Sequence, residues 1–419
     1  MKNKFRNIII AGLWIILSAS IIITVNITIK QTKNSRVAKA SLETAAFENP
    51  FGIDLGTLGP FWNENEPVDY PILAQLLSQA GVRWVRVDLV WKFAEPTNDH
   101  WNEDHLAKVA TLLTTLKNAG LLTSLDLRNV PDWASDVPGG DFLYPPTNLV
   151  DWDDFVSEMV MRFGNYVDVW EIENEVSHKI GYVENKEKYV EMVGRAVNII
   201  KVAYPNSLIA LSSFWLPPPQ SWIDPEAAVT AIKYWLVETD NLVDIFNLHI
   251  YATDDMQVAE QTQIFRNYIA EAGIAEKPIW LTETNICPTH QETCLDPADG
   301  GVKLKSRYQT AINAGNDKVF WHPVKQGGPW GPGLLEPPVA SMSASYKPHE
   351  PIFSAFRDMT TNFQVDANSD WVVDILDFQI WISYYAKPTT VGLTQGDFDN
   401  SDKTNSLDFA MWREIFGPR

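Results

Sequence analysis

Two glutamates at the ends of β-rich segments have the residue type that acid–base and nucleophilic chemistry at an acetal carbon requires. Glu175 closes the segment 170–175 (WEIENE), and Glu283 lies in the segment 280–285 (WLTETN). A glycosidic bond is cleaved by two carboxyl groups, one that protonates the leaving oxygen and one that attacks or stabilises the anomeric carbon. Each glutamate alone is more often a solvated or salt-bridged residue. The pair therefore indicates glycosidic chemistry if the fold brings both side chains to one place.

The elements that must position these glutamates alternate between strand and helix patterns from residue 50 to residue 360. Nearly continuous apolar, β-rich segments are separated by amphipathic stretches, of which residues 103–120 show the helical period and stop at Gly120. Such strands are typical of a parallel sheet covered by helices. A doubly wound open sheet is the alternative, but no Gly-rich phosphate loop follows the first strand. We predict an α/β fold, a (β/α)8 TIM barrel, with strands at 51–56, 83–89, 121–127, 167–172, 207–213, 243–251, 278–284 and 318–322.

The carboxyl ends of these strands are where a barrel of this kind places its catalytic side chains. Inspection of those ends adds four residues to the two glutamates. Aromatic faces among them could hold the apolar face of a sugar ring, and the polar groups could bind its hydroxyls. The candidate binding residues at these ends are Asn174, His249, Tyr251 and Trp321.

Taken together, this pattern resembles the glycoside hydrolases of clan A, in particular the relatives of family five and family thirty-nine, over about residues 50–360. The resemblance implies a retaining double displacement on a β-linked carbohydrate, without a cofactor, in which Glu175 is the acid/base and Glu283 the nucleophile. It further implies that Asn174 binds the sugar 2-hydroxyl and that Arg86 keeps Glu283 ionised. His249 and Tyr251 would lie near the nucleophile, and Trp321 would form the platform beneath the sugar.

The chain departs from the family pattern at two positions. Val176 stands where a proline usually follows the Asn-Glu pair, and strand three ends in Leu127-Arg128-Asn129 without the histidine of many family five members. For the implied mechanism, Glu283 must be ionised while Glu175 is protonated near neutral pH.

Charge and composition narrow the remaining function classes. A net charge of −20 would repel phosphate backbones, which argues against nucleic acid as a partner. A non-catalytic carbohydrate-binding barrel at the cell surface is the main alternative, although a binding protein needs no carboxylate pair. A metal-dependent hydrolase is a third interpretation. His249 and His322 are the histidines at the predicted strand ends, and the sequence indicates no third ligand beside them.

The N-terminal 40 residues indicate export. A basic start precedes an apolar run from Ile8 to about Ile29, which is long enough to span a bilayer as a signal peptide or a retained anchor. We expect an extracellular or cell-surface protein with a membrane contact through this segment. In that compartment Cys287 and Cys294 are expected to form a short disulfide, the alternative being two unrelated thiols.

The C-terminal segment 364–416 contains a duplicated acidic loop. The loops 366–377 and 397–408 match the spacing of oxygen ligands in an EF-hand, and position six holds Trp371 and Asp402 instead of glycine. The duplication resembles a dockerin module, which implies calcium binding and a possible cohesin-like partner; an acidic, solvated tail is the alternative. The predicted ligands with side-chain oxygens are Asp366, Asn368, Asp370, Asp374 and Asp377 in the first loop and Asp397, Asp399, Ser401, Asn405 and Asp408 in the second.

Overall fold

The computed structural model describes residues 49–56, 68–137, 141–216, 223–286, 297–326, 332–336, 345–389 and 392–416. The N-terminal segment 1–40 and the two cysteines, Cys287 and Cys294, lie outside these ranges. Their predicted roles as a signal or anchor and as a disulfide therefore stay predictions. Within the described ranges, no helix combines the length and apolarity needed to cross a bilayer.

Eight parallel strands close into a barrel in the order of the chain, which confirms the predicted (β/α)8 architecture. Each predicted strand overlaps an observed one with a shift of three residues or fewer at either end. The strands are β1 (Phe51–Asp54), β2 (Trp84–Val90), β3 (Leu122–Arg128), β4 (Val169–Asn174), β5 (Leu208–Trp215), β6 (Ile245–Tyr251), β7 (Ile279–Asn285) and β8 (Lys318–Trp321).

Helices follow the strands and cover the outside of the barrel. The helix predicted for residues 103–120 runs from Glu103 to Asn118, capped by the Asn102 side chain at its start, and Gly120 follows it with a φ of 77° that glycine tolerates best. The helices are α1 (Tyr70–Gln79), α2 (Trp91–Ala94), α3 (Glu103–Asn118), α4 (Leu149–Phe163), α5 (Ile180–Glu184), α6 (Lys186–Ala203), α7 (Pro225–Thr239), α8 (Asp255–Ala272), α9 (Pro297–Asn313), α10 (Ile352–Phe363), α11 (Ile375–Tyr384) and α12 (Ser406–Phe416).

The barrel interior is apolar at its amino-terminal end and ionic above. Alternate residues of each strand point inward, and the lowest inward layer consists of buried apolar side chains. Gly52 leaves room for one of them, because a Cβ at this position would lie 2.5 Å from the Phe320 ring. This apolar layer closes the amino-terminal end of the barrel, so the polar side chains above it are accessible only from the carboxyl ends of the strands. The layer comprises Trp84, Val169, Leu208, Ala210, Ile245, Trp280 and Phe320.

The C-terminal segment forms two related loop–helix units around a small core of their own. Trp381 of α11 donates a hydrogen bond to the carbonyl of Asn405, and Trp412 of α12 donates one to the carbonyl of Asp374. The two tryptophans are offset by the same number of residues as the two acidic loops. The duplication seen in the sequence is therefore also a structural two-fold relation, in which each helix holds the loop of the other unit.

Trp371 connects the first acidic loop to the barrel. It adopts a φ of 70°, its ring packs against Phe51 and Phe363, and its indole nitrogen donates to Asn313 at the end of α9. A tryptophan is strained in this backbone region. Contact with the amino-terminal end of β1 offsets that strain. It attaches the C-terminal segment to the barrel at the end opposite the carboxyl ends of the strands.

Candidate active site

Glu175 and Glu283 meet at the carboxyl end of the barrel through a shared histidine. His249 Nδ1 lies 2.8 Å from Glu175 Oε1, and its Nε2 lies 3.5 Å from Glu283 Oε1. One oxygen of each glutamate and one nitrogen of His249 all lie within 4.8 Å of one another. Of the two glutamate side chains, Glu175 is 25% exposed and Glu283 10%. The fold therefore brings the two carboxyl groups together with one edge open to a ligand.

The backbone at both glutamates departs from regular strand geometry. Glu173 and Glu175 have positive φ values of 64° and 51°, and the register between β6 and β7 shifts just before Glu283. Such strain persists where surrounding contacts determine it, and it is frequent at functional sites. Here Glu173 is held by Lys179 at 2.6 Å and by the Tyr182 hydroxyl at 2.9 Å. This anchoring sets the direction in which Glu175 leaves the strand.

Val176 explains one departure from the family pattern. Its backbone N–H donates to Ser212 Oγ at 3.3 Å, a bond that proline could not make. The neighbouring Ser213 Oγ is 3.0 Å from Asn174 Oδ1 and accepts from the backbone N–H of Glu175 at 3.4 Å. The end of β4 is thus fixed by two serines of β5 instead of by a proline ring.

Two strong donors hold the Glu283 carboxylate. Arg86 Nη1 donates to Oε1 at 2.8 Å, and the Tyr251 hydroxyl donates to Oε2 at 2.5 Å. Burial and the charge of Glu283 raise the pKa of Tyr251 well above its usual value, so the phenol keeps its proton. Donors on both oxygens fix the orientation of the carboxylate at the barrel mouth.

Arg86 is the centre of a buried ionic layer that the inspection of strand ends missed. Its guanidinium contacts Glu171 at 2.7 Å, Asp126 at 3.0 Å and Asp54 at 3.2 Å, and donates to Asn174 Oδ1 at 2.8 Å. Burial and the charge of Glu171 raise the pKa of Asp126 well above its usual value. Asp126 thus takes up a proton at a higher pH than an ordinary aspartate does. The available signal was the two-residue period, which places Asp88, Asp126 and Glu171 on the inward faces of their strands.

The protonation of Glu175 differs from the sequence-based expectation. Burial alone would raise its pKa, but the hydrogen bond from His249 and the positive charges of His249 and Arg128 lower the pKa to about 2. The expectation of a protonated Glu175 near neutral pH is therefore wrong for this state of the site. For an acid step Glu175 must therefore first take up a proton; His249 Nδ1 lies 2.8 Å from its Oε1.

Trp321 does not form the predicted platform. Its side chain points away from the barrel interior, is fully buried, stacks on Tyr308 of α9 and donates from Nε1 to the carbonyl of Pro332. The reason is the strand period: Phe320 points inward, so Trp321 points outward, and the next inward position belongs to His322. The residue facing the catalytic groups at the end of β8 is thus an imidazole.

A cavity of about 310 Å³ adjoins Glu175 and has a volume suited to a sugar unit or a small oligosaccharide segment. Trp215 of β5 borders it and stacks on His178 with ring centroids 4.5 Å apart. Neither aromatic residue was singled out from the sequence, because the strand predicted at 207–213 ends before Trp215, and His178 lies in the turn after β4. The cavity is lined by Lys92, Arg128, Asn129, Phe142, Leu143, Asn174, Glu175, His178, Lys179 and Trp215.

Two groups of side chains at the barrel mouth have donor atoms close enough together to hold a metal ion. They are Asp54, Glu283 and His322, and Glu175, His249 and Glu283, each with donors within 4.8 Å. In the first group Asp54 Oδ2 is 2.5 Å from His322 Nδ1, which is a hydrogen bond and leaves no room for an ion between them. Contrary to the expectation that the histidines lack further ligands, both have carboxylates beside them.

In the C-terminal segment, the last acidic residue of each loop ties the loop backbone together. Asp377 accepts from the N–H groups of Ala367 and Asp374, and Asp408 accepts from those of Phe398 and Asn405, all at 2.7–2.8 Å. Asp397, Asp399 and Asp408 each bring one oxygen within 4.8 Å of the others. The two loops thus share one geometry with inward carboxylates.

Comparison with known proteins gives a family and a fold. The sequence profile of the family described as "Cellulase (glycosyl hydrolase family 5)" matches residues 43–322. No curated protein matches the chain.

Solved structures of glycoside hydrolases share the fold at low identity. A glucosidase from Croceicoccus marinus has a TM-score of 0.57 at 13% identity, over 76% of this chain and 68% of that one. The GH1 β-glucosidase from Exiguobacterium antarcticum B7 has a TM-score of 0.55 at 12% identity, over 76% and 98%. The exo-β-1,4-mannosidase Op5Man5 from Opitutaceae bacterium strain TAV5 has a TM-score of 0.54 at 14% identity, over 75% and 60%.

Proposed function

The chain belongs to glycosyl hydrolase family 5 and is a glycosidase, and we propose that it cleaves β-glycosidic bonds with retention through Glu175 and Glu283. The observation behind the proposal is the separation of the two carboxyl groups, whose nearest oxygens lie within 4.8 Å of each other. Retaining enzymes hold these groups about 5–5.5 Å apart, whereas inverting enzymes leave about 6.5–9.5 Å for a water. This short separation favours direct attack by a carboxylate.

In the first step Glu283 attacks the anomeric carbon and the bond to the leaving oxygen breaks. Arg86 and Tyr251 donate to the attacking carboxylate and orient it. Glu175, which His249 contacts at 2.8 Å, takes up a proton before this step and passes it to the leaving oxygen. The product of this step is a glycosyl ester on Glu283 and a free alcohol.

In the second step water attacks the glycosyl ester, and Glu175 accepts the proton that water loses. Asn174 has its Oδ1 engaged by Arg86 and Ser213, so its NH₂ group is the side that can donate to a sugar hydroxyl. Trp215, which borders the cavity beside Glu175, offers an aromatic face to a further sugar unit.

Sugar release by the protein tests this proposal on a panel of β-linked polysaccharides and aryl β-glycosides. Glu283→Gln keeps the shape of the side chain but removes the nucleophile, so it should abolish activity on every substrate that the wild type cleaves. NMR of the reaction should show that the sugar released first has the β configuration of the substrate, as retention requires. An α product, or full activity in the variant, would overturn the assignment; a folded protein that binds glycans without cleaving any would favour a binding barrel.

For the C-terminal segment we propose a dockerin-like module with calcium in its two loops. The donor set fits calcium, since the aligned positions offer carboxylate, amide and backbone oxygens. Burial raises the pKa of Asp377 and of Asp408, which a bound cation would reverse. Calorimetric titration of the chelator-treated protein with calcium should show binding that Asp377→Ala and Asp408→Ala together remove. Binding unchanged in that double variant would refute the assignment.

A protein partner is proposed for the same module because it exposes apolar side chains at the starts of α11 and α12. Ile375 is 50% exposed, Leu376 45% and Leu407 63%. Exposed apolar groups beside a charged loop are typical of interaction sites. The test is whether the protein binds a cohesin module in the presence of calcium, and whether Leu376→Asp weakens that binding. If no type of cohesin binds, the proposed protein partner is refuted.

Export is proposed from residues 1–40, with anchoring or cleavage as the two possible outcomes. N-terminal sequencing of the protein recovered from its native cell distinguishes them. A chain beginning at Met1 in the membrane fraction indicates an anchor, and a chain beginning downstream of about residue 30 indicates a signal peptide, given the length of the apolar run. Recovery of the intact chain from the cytoplasm would refute export.

A further inference from the structure

At the end of β8, the inward position next to the nucleophile is occupied by a histidine held by an aspartate. His322 Nδ1 lies 2.5 Å from Asp54 Oδ2, and 3.9 Å from Glu283 Oε2. Its side chain is 7% exposed, and its ring approaches that of Tyr251 edge-on at 6.0 Å. Strands β1, β6, β7 and β8 thus converge on this imidazole at the barrel mouth.

Asp54 is itself held in place from several sides. Arg86 Nη1 lies 3.2 Å from its Oδ1, and the backbone N–H of Gly56 donates to its Oδ2 at 3.1 Å. A Cβ at residue 56 would lie 2.8 Å from that same oxygen, so the loop after β1 is shaped closely around the carboxylate. The main chain of His322 is fixed too, because its N–H donates to the carbonyl of Thr284. An aspartate and a histidine with both backbones fixed form a rigid pair.

We propose that His322 and Asp54 form a positioning pair, in which the protonated imidazole stabilises the ionised Glu283 and the aspartate orients the imidazole. The inference rests on Glu283 being the nucleophile. Arg86 donates to Oε1 of Glu283 and Tyr251 to Oε2, and His322 adds a positive charge beside Oε2 from the end of β8. The pair stands where an aromatic platform was predicted, so this wall of the site offers a charge instead of an indole face.

The charges around His322 support a protonated imidazole. The charged groups that act on it include Asp54 from β1, Asp88 from β2 and Glu283 from β7. Arg86 of β2 contacts Asp54, and the Tyr251 phenol of β6 packs edge-on against the imidazole. Burial by itself lowers the pKa of His322, but Glu283 and the hydrogen-bonded Asp54 outweigh burial and raise that pKa above its usual value. The imidazolium therefore persists to a higher pH than that of an ordinary histidine.

The pH dependence of catalysis tests the pair. Wild-type kcat/KM should fall as the pH rises through the raised pKa of His322, because Glu283 then loses a neighbouring positive charge; this fall is the alkaline limb of the pH profile. His322→Gln keeps a hydrogen-bonding side chain but has no titrating proton. The alkaline limb should therefore be absent from this variant, and kcat should be about 10- to 100-fold lower, with a smaller change in KM. Asp54→Asn should move the limb to lower pH, a shift that a merely structural role would not produce.

His105→Gln serves as the matched control, because His105 is also buried but lies in α3 against Phe93. This variant should keep the wild-type pH profile. Wild-type kcat and an unchanged alkaline limb in both His322→Gln and Asp54→Asn would overturn the proposal. Thermal unfolding of each variant identifies any that fails to fold.

NMR of the histidine side chains gives a readout that does not need a substrate. In protein labelled with ¹⁵N-histidine, the signal lost in His322→Gln identifies His322. Its pKa should be raised in the wild type and fall by about one unit or more in both Asp54→Asn and Glu283→Gln. A His322 pKa that is unchanged by both substitutions would refute the proposed pair. A protein that hydrolyses no glycoside but shows the shifted pKa would instead refute the proposed activity.

Discussion

Replacing Glu175 by alanine tests the division of labour between the two carboxyl groups. In the structure Glu175 reaches the mouth with a quarter of its side chain exposed, while Arg86 and Tyr251 hold Glu283 independently of it. The substitution should therefore remove proton transfer and leave the nucleophile intact. General acid–base catalysis contributes about 10²–10⁴-fold, which corresponds to about 3–5 kcal/mol in the barrier.

The size of the loss should depend on the leaving group. For a disaccharide, whose leaving alcohol needs a proton, kcat/KM should fall by that full factor. For a dinitrophenyl glycoside, whose leaving group departs as a stable anion, formation of the glycosyl-enzyme should fall about tenfold or less. Hydrolysis of the ester then becomes slow for both substrates, since the base is missing, so a burst of dinitrophenol should precede a slow steady state.

Azide distinguishes the roles of the two glutamates. A small anion can enter the space left by Glu175→Ala and attack the glycosyl ester, which should restore the rate and yield the β-glycosyl azide. In Glu283→Ala the azide should attack the substrate directly and yield the α-glycosyl azide. NMR determines the anomeric configuration of the two azide products. Glu184→Ala, which changes an exposed glutamate at the end of a helix, serves as the control. An α-azide from the Glu175 variant, or equal losses on both leaving groups, would refute the assignment.

Further substitutions test other parts of the structure. Tyr251→Phe removes one charge-assisted hydrogen bond to Glu283 and should lower kcat/KM about 10- to 100-fold, measured on an aryl glycoside, with an unchanged value arguing against a role for the phenol. Trp321→Phe removes buried surface outside the barrel and should lower the free energy of unfolding by about 1–3 kcal/mol while KM stays constant; a raised KM would return Trp321 to the sugar site. Chelation with EDTA should spare hydrolysis, and a complete, zinc-reversible loss would favour a metal at the mouth. Trp371→Gly places a residue that tolerates the left-handed backbone but removes the contacts to Phe51 and Asn313. The C-terminal segment should then be cleaved faster in limited proteolysis, while its calcium affinity stays the same. An unchanged rate of cleavage would show that those contacts are weak.

Periodicity in the sequence was sufficient to predict the barrel. Eight nearly apolar segments separated by amphipathic stretches leave few alternatives once a phosphate loop is missing, and the observed strands follow those segments. The same logic placed Glu175, Glu283, His249 and Tyr251 at one end, because parallel strands bring their carboxyl ends to the same edge. His249 does contact Glu175, Tyr251 does contact Glu283, and Arg86, which the family resemblance supplied, reaches Glu283 from within β2.

Other properties of the site were decided by tertiary structure alone. Whether Trp321 or His322 faces the sugar depends on the phase of β8, and one residue of shift exchanges the two faces of a strand. The low pKa of Glu175 and the raised pKa of Asp126 depend on distances between charges that come from different strands of the barrel. Sequence determines which groups are available and at which end of the barrel they lie; only packing determines their spacing, and electrostatic energy depends on that spacing.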